Sequence, residues 1–177
     1  YFKSDFNIAH RCGLAVTAHA GENDDVESIW QAVYQLYSRR LGHALHLTES
    51  ADLCRVVRDR SIGIEMCPYA NYQIHGFQPM RDRKQYPFLN LLRQGIKVSV
   101  NTDNPGISRA GLTDNLAFLS SLCPGITRLE ILKAIRNGLD TAFIDPSEKG
   151  RILDNMSQQI ITACLNREYL ISSAVIE

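Results

Sequence analysis

Val16-Thr17-Ala18-His19-Ala20-Gly21-Glu22 runs from β-branched and apolar residues straight into a histidine, and a glutamate follows three positions later. A short strand that ends this way delivers an imidazole and a carboxylate to one rim of a sheet. Two later stretches repeat the pattern. Arg40-Leu41-Gly42-His43 ends on a second histidine, and Val98-Ser99-Val100-Asn101-Thr102-Asp103 ends on an aspartate. Short strands that each carry a chemical residue at the carboxyl end describe the active-site rim of an α/β barrel. Imidazoles and carboxylates gathered there point to hydrolysis at a bound metal.

Working outward, the spacing predicts strand–helix units. Residues 1–13 read as a helix stopped by Gly13. Residues 14–18 read as a buried strand and 24–37 as a helix, with Val26, Ile29, Trp30, Val33 and Leu36 on one face and acids in its first turn. Residues 41–44 form the second strand, and 49–60 a helix capped by Thr48. Residues 62–66 form the third strand, closed by Cys67-Pro68. A loop rich in Tyr, Asn and Gln spans 69–85. Residues 87–94 are helical, with Gly95 as the stop, and 97–101 form the fourth strand.

Beyond residue 104 no strand pattern recurs. Helices are predicted over 114–122 and 128–143. Asp145-Pro146-Ser147-Glu148 opens a last helix running to about residue 174, with a break near Asn166. The whole of 1–177 reads as one domain, four strand–helix units over 1–104 and a helical tail over 105–177. A doubly wound open sheet would carry a glycine-rich phosphate loop after a strand, and none is present. Half of a (β/α)8 barrel fits better. Such a half has free strand edges and an uncovered inner face, so it is expected to need its complement.

Bulk properties narrow the partners. The 177 residues include 45% hydrophobic and 21% charged side chains, as in an ordinary globular domain. Nineteen basic and nineteen acidic residues cancel, so nothing argues for a polyanion-binding surface. The densest basic stretch, Arg81-Asp82-Arg83-Lys84, contains its own acid. Five scattered cysteines without a C-x-x-C read as buried small side chains in a reducing compartment. No apolar run is long enough for a membrane span. The expected location is the cytoplasm.

The ordered set His19-Ala20-Gly21-Glu22, Arg40-Leu41-Gly42-His43, Glu65-Met66-Cys67-Pro68 with Asn71, and Asn101-Thr102-Asp103 resembles the carboxyl half of the adenosine deaminase family. The tail resembles it too, at Asn137-Gly138 to Phe143 and at Glu148-Lys149. The resemblance covers almost all of the chain and implies a (β/α)8 barrel of which this chain supplies strands five to eight and the C-terminal helices. It implies one zinc ion per complete barrel and hydrolysis of the exocyclic amine of adenine in a nucleoside or nucleotide, giving the inosine product and ammonia. The family's first strand carries a His-x-His pair. The five histidines here, 10, 19, 43, 46 and 75, contain no such pair. The complementary half is therefore expected upstream in the same polypeptide or in a companion chain.

The resemblance assigns His19 and Asp103 to the metal. Glu22 becomes the acid that protonates the ring nitrogen beside the attacked carbon, and His43 the group that orients and deprotonates the attacking water. Gly21 gives backbone room beside the base. Asn104 departs from the family, where a second aspartate touches the purine. An amide donates to a ring nitrogen at any pH, a carboxylate only when protonated. The exchange removes a charge and is expected to tolerate a phosphorylated substrate or a changed base preference. Tyr69, Asn71, Tyr72 and Gln73 are expected either to line the pocket or to pack on the surface. His46 is expected near the surface, Trp30 in the core, and His75 is unassigned.

Two other functions stay open at this point: deamination of a free purine base by the same metal shell, or a non-catalytic scaffold within a larger assembly. A barrel fragment with Asn104 is also compatible with a deaminase embedded in an antiphage or CRISPR-linked protein and with a large homo-oligomer. The charge balance leaves nucleic acid an open question as a partner.

Overall fold

The computed structural model describes residues 2–74, 77 and 86–165. They form two compact units, Tyr1–Thr141 and Ala142–Glu177. In the first unit, helix α1 (Lys3–Arg11) precedes four strands, β1 (Thr17–Ala20), β2 (Arg40–His43), β3 (Gly63–Met66) and β4 (Lys97–Val100). They pair in sequence order, all parallel, as one four-stranded sheet. Helices α2 (Val26–Tyr34), α3 (Ala51–Asp59) and α5 (Phe88–Arg93) lie between them, and a short α4 (Pro68–Gln73) follows β3. This is half of a (β/α)8 barrel.

Alternation along the strands divides the two faces. Leu41, Ile64, Met66 and Val98 point outward and are buried with Ile29 and Val33 of α2, Leu53 and Val57 of α3, and Phe88, Leu91 and Leu92 of α5. Apolar burial of this kind is the main stabilising term. The other face carries Thr17, His19, Arg40, Glu65 and Ser99. Glu65 is paired there with Arg40 (Nε–Oε1 2.8 Å) and accepts from the Thr17 hydroxyl (2.9 Å).

Helices α6 (Pro105–Ser108), α7 (Leu112–Leu122) and α8 (Arg128–Thr141) follow β4. Helix α8 packs on β4, with the Asn137 amide donating to the Val98 carbonyl (3.0 Å). Two small residues permit the approach: a Cβ at Gly63 would lie 2.8 Å from the Thr141 side chain, and one at Gly138 3.3 Å from Ser99. The inner face of β3 and β4 is thus partly covered by the chain's own tail, where an uncovered face was expected. Strand β1 pairs only with β2 among the described residues.

The second unit holds helix α9 (Pro146–Leu165). Its start is as expected: Asp145 accepts from the Ser147 amide (2.8 Å), with Pro146 in the first turn. Its expected end near residue 174 and the break at Asn166 lie outside the described residues, as do His75 and the basic stretch 81–84.

Several boundaries differ from the sequence expectation. The first strand lies at Thr17–Ala20, because the parallel register pairs Thr17 with Arg40 and Ala20 with His43; Leu14 is exposed. Helix α3 is capped by Ser50, which accepts from Leu53 N (3.2 Å), while Thr48 falls within a 3₁₀ turn, Leu47–Glu49. Residues 68–73 form a helix, Pro68 being suited to a first turn. Trp30 is only partly buried and stacks on Tyr34. Cys54, Cys67 and Cys123 are buried as expected, but Cys12 is exposed at the end of α1.

Candidate active site

Each strand delivers its chemical residue at the carboxyl end. His19 is the third residue of β1, and Glu22 stands just beyond it. His43 closes β2, Asn71 stands in α4 after β3, and Asp103 lies three residues past β4. Parallel strands put all of these on one rim.

His19, His43 and Asp103 each direct one possible ligand atom into a common space, and those atoms all lie within 4.8 Å of one another. The two rings meet edge to face, with centroids 4.7 Å apart. Gly42 makes that possible, since a Cβ there would stand 2.7 Å from Cδ2 of His19. His43 is 1% exposed, while His19 and Asp103 are open to solvent. His43 and Asp103 both take a left-handed backbone (φ 68° and 58°), and Ala44 (φ 47°) continues it. This conformation is uncommon outside glycine and costs a non-glycine residue on the order of 1–2 kcal/mol. Such strain is held at a site by the structure around it.

Glu22 approaches His43 closely, Oε1 to Nδ1 being 3.0 Å. The Asn71 amide donates to Glu22 Oε1 (2.7 Å) and lies 2.9 Å from Nδ1 of His43. The Tyr86 hydroxyl donates in turn to Asn71 Oδ1 (2.7 Å). Nε2 of His43 is buried and has no partner among the described residues. Cys67 sits beside this group. Burial, reinforced by Asp103, Glu22 and Glu65, pushes its thiol up to about 12, so it stays protonated.

Gly21 has a positive φ (64°), and a Cβ there would stand 2.5 Å from Ile29 Cδ1. Its N–H donates to the Ser28 hydroxyl (2.8 Å), and its carbonyl accepts from Leu45 N (2.7 Å). The room its missing side chain leaves is taken from the core side. The Asn104 amide donates to Asp103 Oδ2 (3.0 Å), so the departure from the family pattern touches the candidate ligand directly. His46 pairs with Glu49 (2.8 Å) and is not among the residues of the candidate cluster. Tyr69 and Tyr72 stack edgewise on Phe118 of α7, a packing role.

The structure therefore brings together His19, Glu22, His43 and Asp103, with Asn104 against Asp103. It adds Tyr86, which nothing in the sequence marked, and places Asn71, quoted with the Glu65–Pro68 motif but left between pocket lining and packing, at the centre of the hydrogen bonds. His43 also offers an atom to the candidate metal cluster, beside the water-orienting role that the resemblance implies for it.

A half barrel with this rim defines a class: amidohydrolase-like proteins that gather imidazoles and carboxylates at strand ends. The adenosine deaminase family profile matches residues 1–159. The chain belongs to the adenosine deaminase family. It is 36% identical over 155 residues to an adenosine deaminase of Yersinia pseudotuberculosis, an alignment covering 88% of this chain and 45% of that protein. The chain thus spans less than half the length of this curated relative. Among solved structures, an adenine deaminase from Arthrobacter aurescens superposes with a TM-score of 0.80 at 23% identity, over 90% of this chain and 47% of that one. An amidohydrolase from Burkholderia ambifaria with bound Zn gives 0.80 at 23% identity, over 91% and 44%. At that identity the superpositions establish the fold. These relatives lend no support to an antiphage or CRISPR-linked setting. No helix among the described residues is long and apolar enough to cross a membrane.

Proposed function

We propose that the complete barrel containing this chain hydrolyses the exocyclic amine of adenine in a nucleoside or nucleotide, releasing ammonia and the inosine-type product. The observation that carries the proposal is the convergence of His19, His43 and Asp103 within 4.8 Å, with the Glu22 carboxyl beside His43. The imidazole of His19 and the carboxylate of Asp103 are donors suited to zinc, and the His43 ring stands beside them. The buried Nε2 of His43, without a partner among the described residues, supports a polar occupant of that space. His19 and Asp103 would hold the ion together with ligands from the rest of the barrel. Bound there, zinc would lower the pKa of a coordinated water toward neutrality.

The chain's own residues then divide the work. Nδ1 of His43 is engaged by Asn71 and Glu22, so Nε2 is the atom it has left for the attacking water and for the oxygen that develops negative charge. Glu22 gives its proton to the ring nitrogen next to the attacked carbon, making that carbon more electrophilic; of the attacking water's two protons, one restores Glu22 and the other completes the leaving amine, which departs as ammonia. Asn104, tied to Asp103, keeps one amide hydrogen to offer the purine. Gly21 acts indirectly, by holding the turn that carries Glu22.

The test is ammonia release from adenine, adenosine and adenosine phosphates by the protein with its barrel complete. Glu22→Gln should keep its zinc and lose about 10²-fold or more in turnover, the scale of a general acid. Release from free adenine alone would establish the base-deaminase alternative. Binding without release from any of them would make the protein a scaffold.

A further inference from the structure

One buried amide touches both reacting side chains. Asn71 is fully buried, with Nδ2 2.7 Å from Glu22 Oε1 and 2.9 Å from His43 Nδ1. Its backbone is fixed as well: its N–H donates to the Cys67 carbonyl (2.8 Å), and its carbonyl accepts from Phe77 N (2.9 Å).

The orientation of the amide follows from its neighbours. Turned over, Oδ1 would lie 2.7 Å from Glu22 Oε1, where it meets only lone pairs whether that carboxyl is ionised or gives its proton to His43 Nδ1. Tyr86 enforces the same choice. Its ring is buried against Phe77, and burial, then Cys67, Cys123 and Glu22, holds its phenol well above the usual range. A protonated phenol has one hydrogen to give, and Asn71 Oδ1 accepts it at 2.7 Å. Both amide hydrogens are thereby turned toward Glu22 and His43.

We infer that Asn71, held by Tyr86, is a positioning residue that sets the separation of Glu22 and His43 and keeps Nδ1 of His43 as a hydrogen-bond acceptor. A neutral ring with Nδ1 accepting carries its proton on Nε2, the atom left to face the reacting centre, where it can orient the attacking oxygen and stabilise its charge but cannot take up its proton, unlike the deprotonating role that the family resemblance implies. While Nδ1 accepts, its 3.0 Å contact with Glu22 Oε1 needs the acidic proton of Glu22 on that oxygen; once Glu22 is ionised, the same contact favours a proton on Nδ1 instead. Without the amide, Nδ1–H donates to Glu22, the ring proton leaves Nε2, and the carboxyl is drawn toward the ring. The catalytic meaning of this arrangement rests on the proposed roles of Glu22 and His43; the hydrogen-bond assignment does not.

The first test is the nitrogen-15 spectrum of the His43 ring in the metal-free protein with its barrel complete. Wild type should show the tautomer protonated on Nε2. Tyr86→Phe, which removes only a hydroxyl, should shift it to a mixture, and Asn71→Leu to the Nδ1-protonated form. The second test is kinetic. Asn71→Leu should lose about 10- to 100-fold in kcat, the usual cost of removing a partner that orients an active-site group, with KM and zinc content unchanged. Tyr86→Phe should lose less, and the double variant should be no worse than Asn71→Leu alone. Identical ring spectra in wild type and Tyr86→Phe, or multiplying losses in the double variant, would overturn the inference. If Asn71→Leu does not fold, the Tyr86→Phe spectrum decides by itself. If the wild-type protein deaminates no adenine compound, the functional reading fails while the ring spectra still judge the role of Asn71.

Discussion

Gly42→Ala isolates one geometric requirement of the cluster. Gly42 lies opposite His19 in the β1–β2 register, and an added Cβ would stand 2.7 Å from Cδ2 of the His19 ring and 3.4 Å from its Cγ and Nε2. Ordinary contact begins at 3.4–4 Å, so something must shift by roughly 1 Å. The backbone on both sides is held in the parallel ladder. The exposed His19 ring can swing away, but only by leaving the space it shares with His43 and Asp103. A misplacement of about 1 Å is enough to cost a catalytic constellation about 10²-fold. The fold itself should not suffer, because alanine is less costly than glycine inside a strand by roughly 0.5–1 kcal/mol. Zinc affinity should therefore fall about 10- to 100-fold, or about 1.4–2.7 kcal/mol, while the melting temperature of the metal-free protein holds or rises slightly. Chelator competition measures the first and a thermal melt the second. Unchanged zinc affinity in a stable Gly42→Ala protein would refute the role given to His19. Lost affinity together with a collapsed melt would show that the glycine serves the sheet instead.

Asp103→Ala should lower zinc content and turnover together, with excess zinc restoring part of both; full zinc content by elemental analysis would remove Asp103 from the ligand set. Asn104→Asp sets a second carboxylate against Asp103, where the amide now donates at 3.0 Å. An added charge repels a substrate phosphate lying within about 8 Å at physiological salt, so kcat/KM should fall more for a nucleotide than for adenosine, and equal falls would discard the charge argument. Glu130 is held at about 2, below its ordinary 4.5, chiefly by its hydrogen bond from Arg93 and then by Thr127. Its folded value is depressed, so its contribution is complete above pH 4.5 and is lost as pH falls toward 2. Glu130→Gln should flatten that part of the acid limb of urea midpoints, and parallel limbs for both proteins would contradict the assignment.

The sheet was legible because each strand is a short apolar run with a chemical residue at its end, and parallel pairing converts that order into a single rim. Boundaries were less so. Leu14 and Ala15 look as apolar as the true strand, but the ladder with β2 begins only at Thr17. Thr48 and Ser50 are equally good caps by residue type, and a 3₁₀ turn at Leu47–Glu49 decided for Ser50. The covering of the inner face by α8 was out of reach for a different reason. It depends on Gly63 and Gly138 meeting Thr141 and Ser99 across long separations, and isolated glycines do not announce what will approach them.

The residues of the site divide along the same line. His19, Glu22, His43 and Asp103 could be picked out because titratable groups at strand ends are conspicuous and their distance along the chain hardly matters once the strands are parallel. Asn71 and Tyr86 are neutral, and their importance comes from where two neutral hydrogen bonds point. Asn71 stands in the motif that carries the resemblance, but no role could be read for it until the distances of 2.7 and 2.9 Å place it on both Glu22 and His43. The position of His43 follows from the same geometry. The resemblance sets it beside the ligands as the water-orienting group, and Gly42 lets the His19 ring reach it, so one side chain borders both the candidate metal and the acid. A group in that position cannot be altered without disturbing both. Asn71, one bond further out, is where the arrangement of the pair can be changed while the metal donors stay intact.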